Sequence, residues 1–232
     1  MFDSGDFSEN ETFLITDWFA HTPPEVLAKN FGVAESAFAE LPIDYEHTRY
    51  VFDGQVPPPL EQDAVPAPNG TVPQTFSHRM LAQPPIETAG GRVRITDSSN
   101  FPASKTVAAA LVEVEPGGLR EMHWHPNADE WQYYISGRAR MTVFGSSGTA
   151  NTFDYQAGDV GYVPFPMGHY IENTGETPLR FLELFRSDRY ADVSLDQWLA
   201  LTPPELVRAH IPVDQRAFTA LPKQKRIVLT RS

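Results

Sequence analysis

The sequence predicts an all-β domain, an antiparallel sandwich or barrel, flanked by short helical arms. Two observations lead to this fold class. Short β-prone runs alternate with turn signals from Gly91 to about Asp192, at a spacing typical of such sheets. Outside that region one helix-forming pattern occurs twice, from Thr16 to Pro42 and from Asp196 to Pro222. We therefore expect a barrel between two copies of a helical segment.

The two helical segments align without gaps. Trp18 aligns with Trp198, and a Phe and a Leu-Pro pair also match further along. Thr22 and Thr202 are each followed by two prolines and a glutamate, a pattern that predicts threonine as the N-cap of the next helix. Convergent helix-start chemistry would explain the prolines and the glutamate, but not the other matches. A duplicated segment is therefore the simpler interpretation.

Between the copies, the chain first becomes proline-rich and then β-prone. The run QVPPPLEQDAVPAPNGTVPQTF is typical of an extended connector that lies on a surface. Examples of the β-prone runs are RVRIT, TVAAALVEV, EWQYYIS, ARMTVF, DVGYVPF, HYIEN and LRFLELF. Alternate residues line the interior of a barrel, so side chains from separate strands can converge there.

Two histidines one residue apart, His123 and His125, mark the most informative stretch of the predicted barrel. Residues i and i+2 of a strand point to the same face. Strand pairing could bring Glu130 and His169 onto that face as well. Three imidazoles and one carboxylate suit a divalent first-row metal with open positions, and the same ligands serve manganese and iron. The alternative is a pair of surface histidines on an edge strand.

The composition limits the classes of partner. The chain has 232 residues and a formal net charge of −12, which argues against a nucleic-acid backbone as partner. It has no cysteine, which excludes disulfides and thiolate ligands. No apolar run approaches a membrane span, and the first residues show no secretory signal. We therefore expect a cytoplasmic protein without a nucleic-acid or membrane partner, although a full-length form could be secreted.

The spacing around the candidate ligands resembles the two cupin motifs. The matching positions are Gly117, His123, His125, Glu130 and Gly137 for the first motif, and Gly158, Pro164, His169 and Asn173 for the second. Pro166 stands where the family usually has a glycine, so the turn before His169 is expected to differ locally. The resemblance implies the cupin double-stranded β-helix, a jelly-roll barrel, with the two histidine-bearing motifs supplying the metal ligands.

Longer segments resemble a narrower group, the second cupin of the bicupin oxalate decarboxylases. These segments are LREMHWHPNADEWQYYISGRARMTVF, YQAGDVGYVPFPMGHYIEN and YADVSLDQWLA. The opening FSENETF also resembles the end of that family's first cupin, where a flexible Ser-Glu-Asn-Ser loop acts as an active-site lid. Here the tetrad is Ser8-Glu9-Asn10-Glu11, so its last position departs from the pattern. Because the barrel that this lid would serve is missing, Glu9 is not predicted to be catalytic.

The resemblance implies a manganese-dependent split of oxalate into formate and carbon dioxide, with dioxygen as a cocatalyst. It also implies catalytic roles for Arg120 and Glu183, and a supporting role for Tyr190. A guanidinium can hold a carboxylate bidentately, but Arg120 would share a face with His123 only through a twist or bulge. Glu183 lies in an apolar run, where burial raises a carboxyl pKa toward the range of a general acid. The alternative is an outer-face glutamate paired with a neighbouring arginine.

Three functions stay open at this point. The first is an oxalate decarboxylase, a carboxy-lyase, impaired or not by the missing first cupin. The second is a non-catalytic metal-binding cupin with a structural or regulatory role, since the lid-bearing first cupin is usually credited with turnover in the resembled family. The third is an oxalate oxidase, which would use the same ligands but form carbon dioxide and peroxide.

These interpretations predict a chain that is the second half of a duplicated two-cupin protein. Its parts would be the remnant and helical arm of a missing first cupin (1–42), a proline-rich connector (43–90), the cupin barrel (91–193) and a C-terminal helical arm (194–232). Two arms would then share one barrel. A homo-oligomer that rebuilds the two-barrel unit would bury the apolar faces around Trp18 or Trp198.

Overall fold

A computed structural model describes residues 15–41, 55–212, 214, 216, 218 and 220–230. They form two compact units, one within residues 2–71 and the other from residue 72 onward. The predicted connector is therefore divided between the two units. The predicted lid tetrad, residues 8–11, lies outside the described residues. No described helix has the length and apolar character that a membrane span requires.

The second unit contains all the described strands, and helices lie in both units. The helices are α1 (Ile15–Ala20), α2 (Pro24–Phe31), α3 (Leu60–Asp63), α4 (Leu195–Leu201) and α5 (Pro204–His210), with short 3-10 helices at Glu35–Phe38, Met80–Ala82 and Ser146–Gly148. The strands are β1 (Ile86–Thr88), β2 (Gly91–Thr96), β3 (Ala108–Val114), β4 (Leu119–Trp124), β5 (Glu130–Ser136), β6 (Arg138–Phe144), β7 (Ala150–Gln156), β8 (Val160–Val163), β9 (Gly168–Asn173), β10 (Leu179–Phe185), β11 (Val193–Ser194) and β12 (Val228–Leu229).

The strands form two antiparallel sheets. The first sheet has the order β1-β2-β3-β10-β5-β8, and the second has the order β11-β4-β9-β6-β7. β12 also pairs with β4, next to the stretch that pairs with β11. All seven β-prone runs predicted from the sequence contain a strand. The all-β prediction is confirmed, and β1 and β12 lie outside the predicted barrel range.

β7 is not among these example runs, and its sequence, ANTFDYQ, is largely polar. β7 lies at an edge of the second sheet and is mostly exposed, so its residues do not need the apolar alternation of a core strand. It pairs with β6 along its whole length. Backbone pairing therefore defines this strand, and its side-chain pattern does not.

The core lies between the two sheets. Phe181 and Tyr134 from the first sheet and Met141 and Ile171 from the second belong to one buried cluster. Their strands alternate buried and more exposed residues, as strands with one inward face do. Each fully buried apolar side chain of this size contributes roughly 1.5–3 kcal/mol relative to an exposed one. This core gives the inner face a rigid support for polar groups.

The helical arms repeat as predicted, but Thr22 and Thr202 do not have the predicted N-cap role. α1 and α4 cover aligned residues of the two copies, and so do α2 and α5. Thr22 and Thr202 are not N-caps: their hydroxyls donate to the carbonyls of Trp18 and Trp198, at 2.7 and 2.8 Å. The last carbonyls of a helix lack partners within it, and these threonines satisfy one at the end of the preceding helix. Pro23 and Pro203 precede α2 and α5 without any side-chain cap, and Pro24 and Pro204 begin these helices.

Candidate metal centre

A β-bulge in β4 determines where Arg120 and His123 point. β4 pairs with β9 so that Arg120 lies opposite Ile171 and His123 lies opposite His169. Between these pairs, two residues of β4 face a single residue of β9, and the register shifts. Simple alternation would put residues three apart on opposite faces. With the extra residue, both Arg120 and His123 are buried.

Three histidines and one glutamate meet between the two sheets. His123 and His169 lie on β4 and β9 of the second sheet, His125 follows β4 directly, and Glu130 begins β5 of the first sheet. All four residues are buried, and one ligand atom from each lies within 4.8 Å of the others. The structure thus brings together all four residues that the sequence predicts as metal ligands.

Backbone carbonyls orient all three imidazoles. The acceptors of the Nδ1–H groups are the carbonyls of Glu121 for His123 at 2.7 Å, of Ala191 for His125 at 2.8 Å and of Met167 for His169 at 3.1 Å. A neutral imidazole that donates from Nδ1 keeps a lone pair on Nε2. Such bonds commonly fix the ring of a metal-bound histidine. The three Nε2 atoms are therefore the available ligand atoms.

The converging atoms lack other partners. Nε2 of each histidine and Oε2 of Glu130 are buried and have no hydrogen-bond partner among the described residues. Oε2 lies 3.0 Å from Nε2 of His125 and 2.8 Å from Nε2 of His169, yet neither pair meets the geometry of a hydrogen bond. Buried polar atoms without partners are costly. A divalent cation would satisfy all four atoms, so this donor set fits a metal ion.

The electrostatics of His123 and Glu130 agree with ligand character, whereas at His125 burial is outweighed by the contact with Glu130, which raises the pKa. Burial, followed by the positive charge of Arg120, holds the pKa of His123 well below its ordinary value, so this imidazole is neutral. Burial alone would raise the pKa of Glu130, but His169 and His125 outweigh it and lower that pKa well below the ordinary value. A neutral imidazole and an ionised carboxylate are the forms that bind metals.

Two residues missed by sequence reasoning orient Glu130. Gln132 Nε2 donates to Glu130 Oε1 at 2.7 Å, and the Tyr134 hydroxyl donates to Gln132 Oε1 at 2.7 Å. All three side chains are buried on the inner face of β5. The signal was present in the sequence, because polar or amphipathic residues occupy alternate positions directly after Glu130.

Arg120 lies completely buried in an ionic network. Its Nη2 donates to the Tyr190 hydroxyl and to Asp192 Oδ2, each at 2.8 Å. Nε and Nη1 make longer contacts of 3.4 Å, to Glu183 Oε1 and to the carbonyl of Ile227. A guanidinium binds a carboxylate at two points through either its Nε/Nη2 edge or its Nη1/Nη2 edge. Both edges include Nη2, and both Nη2 hydrogens are already donated to Tyr190 and Asp192. The bidentate grip expected from the sequence would therefore have to displace Tyr190 or Asp192.

Glu183 points into the barrel from β10. It is fully buried and pairs with Gln132 of β5 across the sheet. Its Oε1 contacts Arg120, whereas its Oε2 has no hydrogen-bond partner among the described residues. Burial and the nearby negative charge of Glu130 raise the pKa of Glu183 to about 7, against the lowering effect of Arg120. The alternative of an outer-face glutamate paired with a neighbouring arginine is therefore wrong.

Tyr190 supports the network from a loop. Its hydroxyl accepts from Arg120 and donates to Asp192 Oδ2 at 3.0 Å, and its ring lies 5.8 Å from that of His125. Sequence reasoning expected a supporting role for Tyr190 but missed Asp192 and Lys225. Asp192 could have been found two residues after Tyr190, within a segment that already resembled the oxalate decarboxylases. Lys225 carries no local signal.

The two-sheet fold and the inward cluster of three histidines and one glutamate define the class of protein. Residues 78–217 match the family described as Cupin. The chain belongs to the cupin family.

Within that family, the chain is similar to oxalate decarboxylases. It is 57% identical over 231 residues to oxalate decarboxylase OxdC from Bacillus subtilis (strain 168), covering 100% of this chain and 59% of OxdC. It is 44% identical over 232 residues to a probable oxalate decarboxylase from Arthroderma benhamiae, covering 99% of this chain and 57% of that protein. A solved structure of the Bacillus subtilis enzyme, studied for its Mn(II) centres, matches with a TM-score of 0.90 at 57% identity. That match covers 98% of this chain and 60% of the other. The chain therefore spans less than two thirds of each of these proteins.

Proposed function

We propose that this chain, loaded with manganese, splits oxalate into formate and carbon dioxide. The observation that carries the proposal is the convergence of four ligand atoms near two further buried groups, Arg120 and Glu183. The similarity to oxalate decarboxylases supports the choice of substrate and metal. Manganese would supply a Lewis-acidic centre with open positions for a dianion, with dioxygen as a cocatalyst. Iron fits the same donors.

The reaction converts one oxalate dianion and one proton into formate and carbon dioxide. The carbon–carbon bond breaks, its electron pair stays on the carbon that becomes formate, and a proton adds to that carbon. The site therefore needs a cationic group to hold the dianion and a weak acid to deliver the proton. Arg120 and Glu183 have the chemistry for these two tasks.

Arg120 would hold the anion by its charge and by a single-point contact. Nη2 is bound to Tyr190 and Asp192, so Nε and Nη1, with their longer 3.4 Å contacts, are the more weakly engaged donors that a ligand would use. Burial strengthens the attraction because little water screens the charge. Arg120 thus contributes orientation and electrostatic stabilisation.

Glu183 would hold the proton on Oε2. This oxygen is buried and has no hydrogen-bond partner among the described residues. Burial and the charge of Glu130 raise the pKa of Glu183 to about 7, so the carboxyl group is partly protonated near neutral pH, which suits a general acid. Glu183 would give its proton to the formate carbon and recover one from solvent after each turnover.

The second candidate is a non-catalytic metal-binding cupin. It is favoured by Arg120, because Tyr190 and Asp192 already engage both hydrogens of its Nη2 without any substrate. In this case the four ligands would still bind metal. Turnover would then belong to a different site.

The proposed assembly is a homo-oligomer, with the chain organised into the four parts predicted from the sequence. Trp198 packs edge-to-face on Trp124 with ring centroids 6.1 Å apart, yet it is still 55% exposed. Trp18 at the aligned position is 60% exposed. A second copy would cover such faces. Light scattering at micromolar concentration is expected to show more than one chain per particle, and a monomer would contradict the assembly.

An assay that follows formate and peroxide separately tests the proposed reaction. The manganese-loaded chain should produce formate from oxalate with little peroxide. Glu183→Gln should keep its manganese and lose activity by roughly 100-fold or more, as expected for a general acid. Glu172→Gln is the matched control, because Glu172 lies at an exposed position of β9, and this variant should behave like the parent chain. Peroxide as the main product would indicate an oxidase, and neither product with manganese bound would indicate a non-catalytic cupin.

A further inference from the structure

Asp192 lies at the centre of the network that holds Arg120. Its Oδ2 accepts hydrogen bonds from Arg120 Nη2 at 2.8 Å and from the Tyr190 hydroxyl at 3.0 Å. Its Oδ1 forms an ion pair with Nζ of Lys225. Burial opposes ionisation, but the charges of Arg120 and Lys225 outweigh it and lower the pKa of Asp192 to about 2. Asp192 is therefore a buried carboxylate with three donors.

Lys225 belongs to a C-terminal segment that crosses β4 at Arg120. β12 pairs with β4 at that residue, and the carbonyl of Ile227 accepts from Arg120 Nη1 at 3.4 Å. The segment also comes very close to the β1–β2 turn, because a Cβ at Gly90 would lie 2.0 Å from the carbonyl oxygen of Leu229. Residues far apart in the sequence are thus held against one guanidinium.

We propose that Asp192, fixed in place by Lys225, is a positioning residue that orients the Arg120 guanidinium for the anion bound at the metal centre. The inference rests on the proposed function, because it requires an anionic substrate within reach of Arg120. Asp192 and Tyr190 engage both hydrogens of Nη2, so the guanidinium cannot rotate freely. Its Nε and Nη1 stay directed toward Glu183 and Ile227. Lys225 performs the same task for Asp192 from the opposite side.

A positioning role and a simple charge effect predict opposite changes in oxalate affinity when the charge of Asp192 is removed. Lys225 adds a positive charge to this region, and Asp192 adds a negative one. If both residues acted only through their charges, loss of Lys225 would weaken the binding of a dianion and loss of Asp192 would strengthen it. If they position Arg120, both losses weaken binding, because the guanidinium is no longer held in one orientation.

The chain offers a matched control pair. Arg226 and Asp196 form a second ion pair, at 3.2 Å, with Arg226 next to Lys225 in the sequence. The Arg226 side chain is 51% exposed, whereas that of Lys225 is 22% exposed. Arg226→Met and Asp196→Asn therefore remove the same kinds of charge nearby without touching the Arg120 network.

The test is calorimetric titration of oxalate into the manganese-loaded full chain, with the manganese content of each variant measured beforehand. Lys225→Met and Asp192→Asn should each weaken oxalate binding by about tenfold, the size expected when a charged hydrogen bond is lost. Lys225→Arg should restore binding to near the parent value. Arg226→Met and Asp196→Asn should stay within about twofold. All variants should retain the manganese content of the parent chain.

Two results would overturn the positioning role. One is tighter oxalate binding by Asp192→Asn, which would indicate a charge effect alone. The other is an affinity of Lys225→Met equal to that of Arg226→Met. If Asp192→Asn does not fold, the comparison of Lys225→Met with Arg226→Met still decides the question, because both variants lose a nearby positive charge and only Lys225 contacts Asp192. A parent chain that holds manganese but does not bind oxalate would instead overturn the proposed function, and the inference with it.

Discussion

Gln132 donates a hydrogen bond to Oε1 of Glu130 at 2.7 Å, and this bond determines which oxygen of Glu130 faces the histidines. Oε2 is left without a hydrogen-bond partner among the described residues, 2.8 Å from Nε2 of His169. A metal at this centre would therefore be bound by one carboxylate oxygen and not by two. Tyr134 fixes the Gln132 amide by donating to its oxygen, which leaves the amide nitrogen toward Glu130.

Replacing Gln132 should weaken manganese binding. Gln132→Leu keeps a side chain of similar size but leaves Oε1 of Glu130 buried without a donor, so the carboxylate can rotate. Loss of such a supporting hydrogen bond typically lowers metal affinity by about 10- to 100-fold. Titration of Mn(II) with an electron-paramagnetic-resonance readout measures the effect. Tyr133→Phe is the control, because Tyr133 points outward and is 40% exposed. Equal affinity in Gln132→Leu and Tyr133→Phe would contradict this role.

Manganese should stabilise the folded chain. A ligand that binds only the native state raises the free energy of unfolding, by about 2.7 kcal/mol at one hundred times its Kd. Differential scanning fluorimetry should therefore show a Tm that rises with manganese concentration. His169→Ala should lose this dependence, and His210→Ala, in the C-terminal arm, should keep it. A Tm of the parent chain that does not respond to manganese would count against the metal centre.

Truncation of a core aromatic residue should be strongly destabilising. Phe181 is completely buried between the sheets and packs against Tyr134, with ring centroids 5.5 Å apart. Phe181→Ala should lower the free energy of unfolding by about 3–5 kcal/mol in urea denaturation. Phe153 on edge strand β7 is 45% exposed, so Phe153→Ala should cost clearly less. Similar decreases in the free energy of unfolding for Phe181→Ala and Phe153→Ala would contradict the placement of Phe181 in the core.

Asp97 should stabilise the chain in a pH-dependent way. Burial alone would raise its pKa, but hydrogen bonds from Ser99 and from the backbone N–H of Tyr190 lower it below the ordinary value. A depressed carboxyl pKa gives stability that is present above the unfolded pKa, about 4, and is lost as pH falls through the folded value. The stability gap between the parent and Asp97→Asn should therefore be largest at pH 7 and shrink toward pH 3.

Urea denaturation of both chains across this range measures that gap. Asp188→Asn, at an exposed position of the loop that carries Tyr190, is the control and should cost little at either pH. If the stability gap between the parent and Asp97→Asn widens on acidification, the pH dependence is opposite to the expected one. That result would contradict a lowered pKa of Asp97 in the folded chain.

The sequence predicts the main strands and the four converging residues because both depend on local patterns. Alternation identifies strands with one buried face, and the spacing around His123 and His169 fixes two motifs on neighbouring strands. The roles of Thr22 and Thr202 were predicted wrongly because a threonine between two helices can serve either one. Only the bond to the Trp18 carbonyl shows that it ends the first helix.

The network around Arg120 depends on contacts that no local pattern contains. Lys225 and Asp192 are brought together by the return of β12 to β4, and Gln132 acts only because Tyr134 and Glu130 share its face. The bulge in β4 was only partly predictable from the sequence. The sequence showed that a bulge was needed for Arg120 to face inward, but the register with β9 was required to locate it.

The central claim is that His123, His125, Glu130 and His169 jointly bind one divalent ion. Elemental analysis of the protein after chelation, reloading with manganese and desalting tests this claim most directly. The parent chain should retain one manganese per chain, and a His123→Ala/His125→Ala variant that keeps the parent's circular-dichroism spectrum should retain none. A parent chain without bound manganese, or a double variant that still holds one equivalent, would contradict the account.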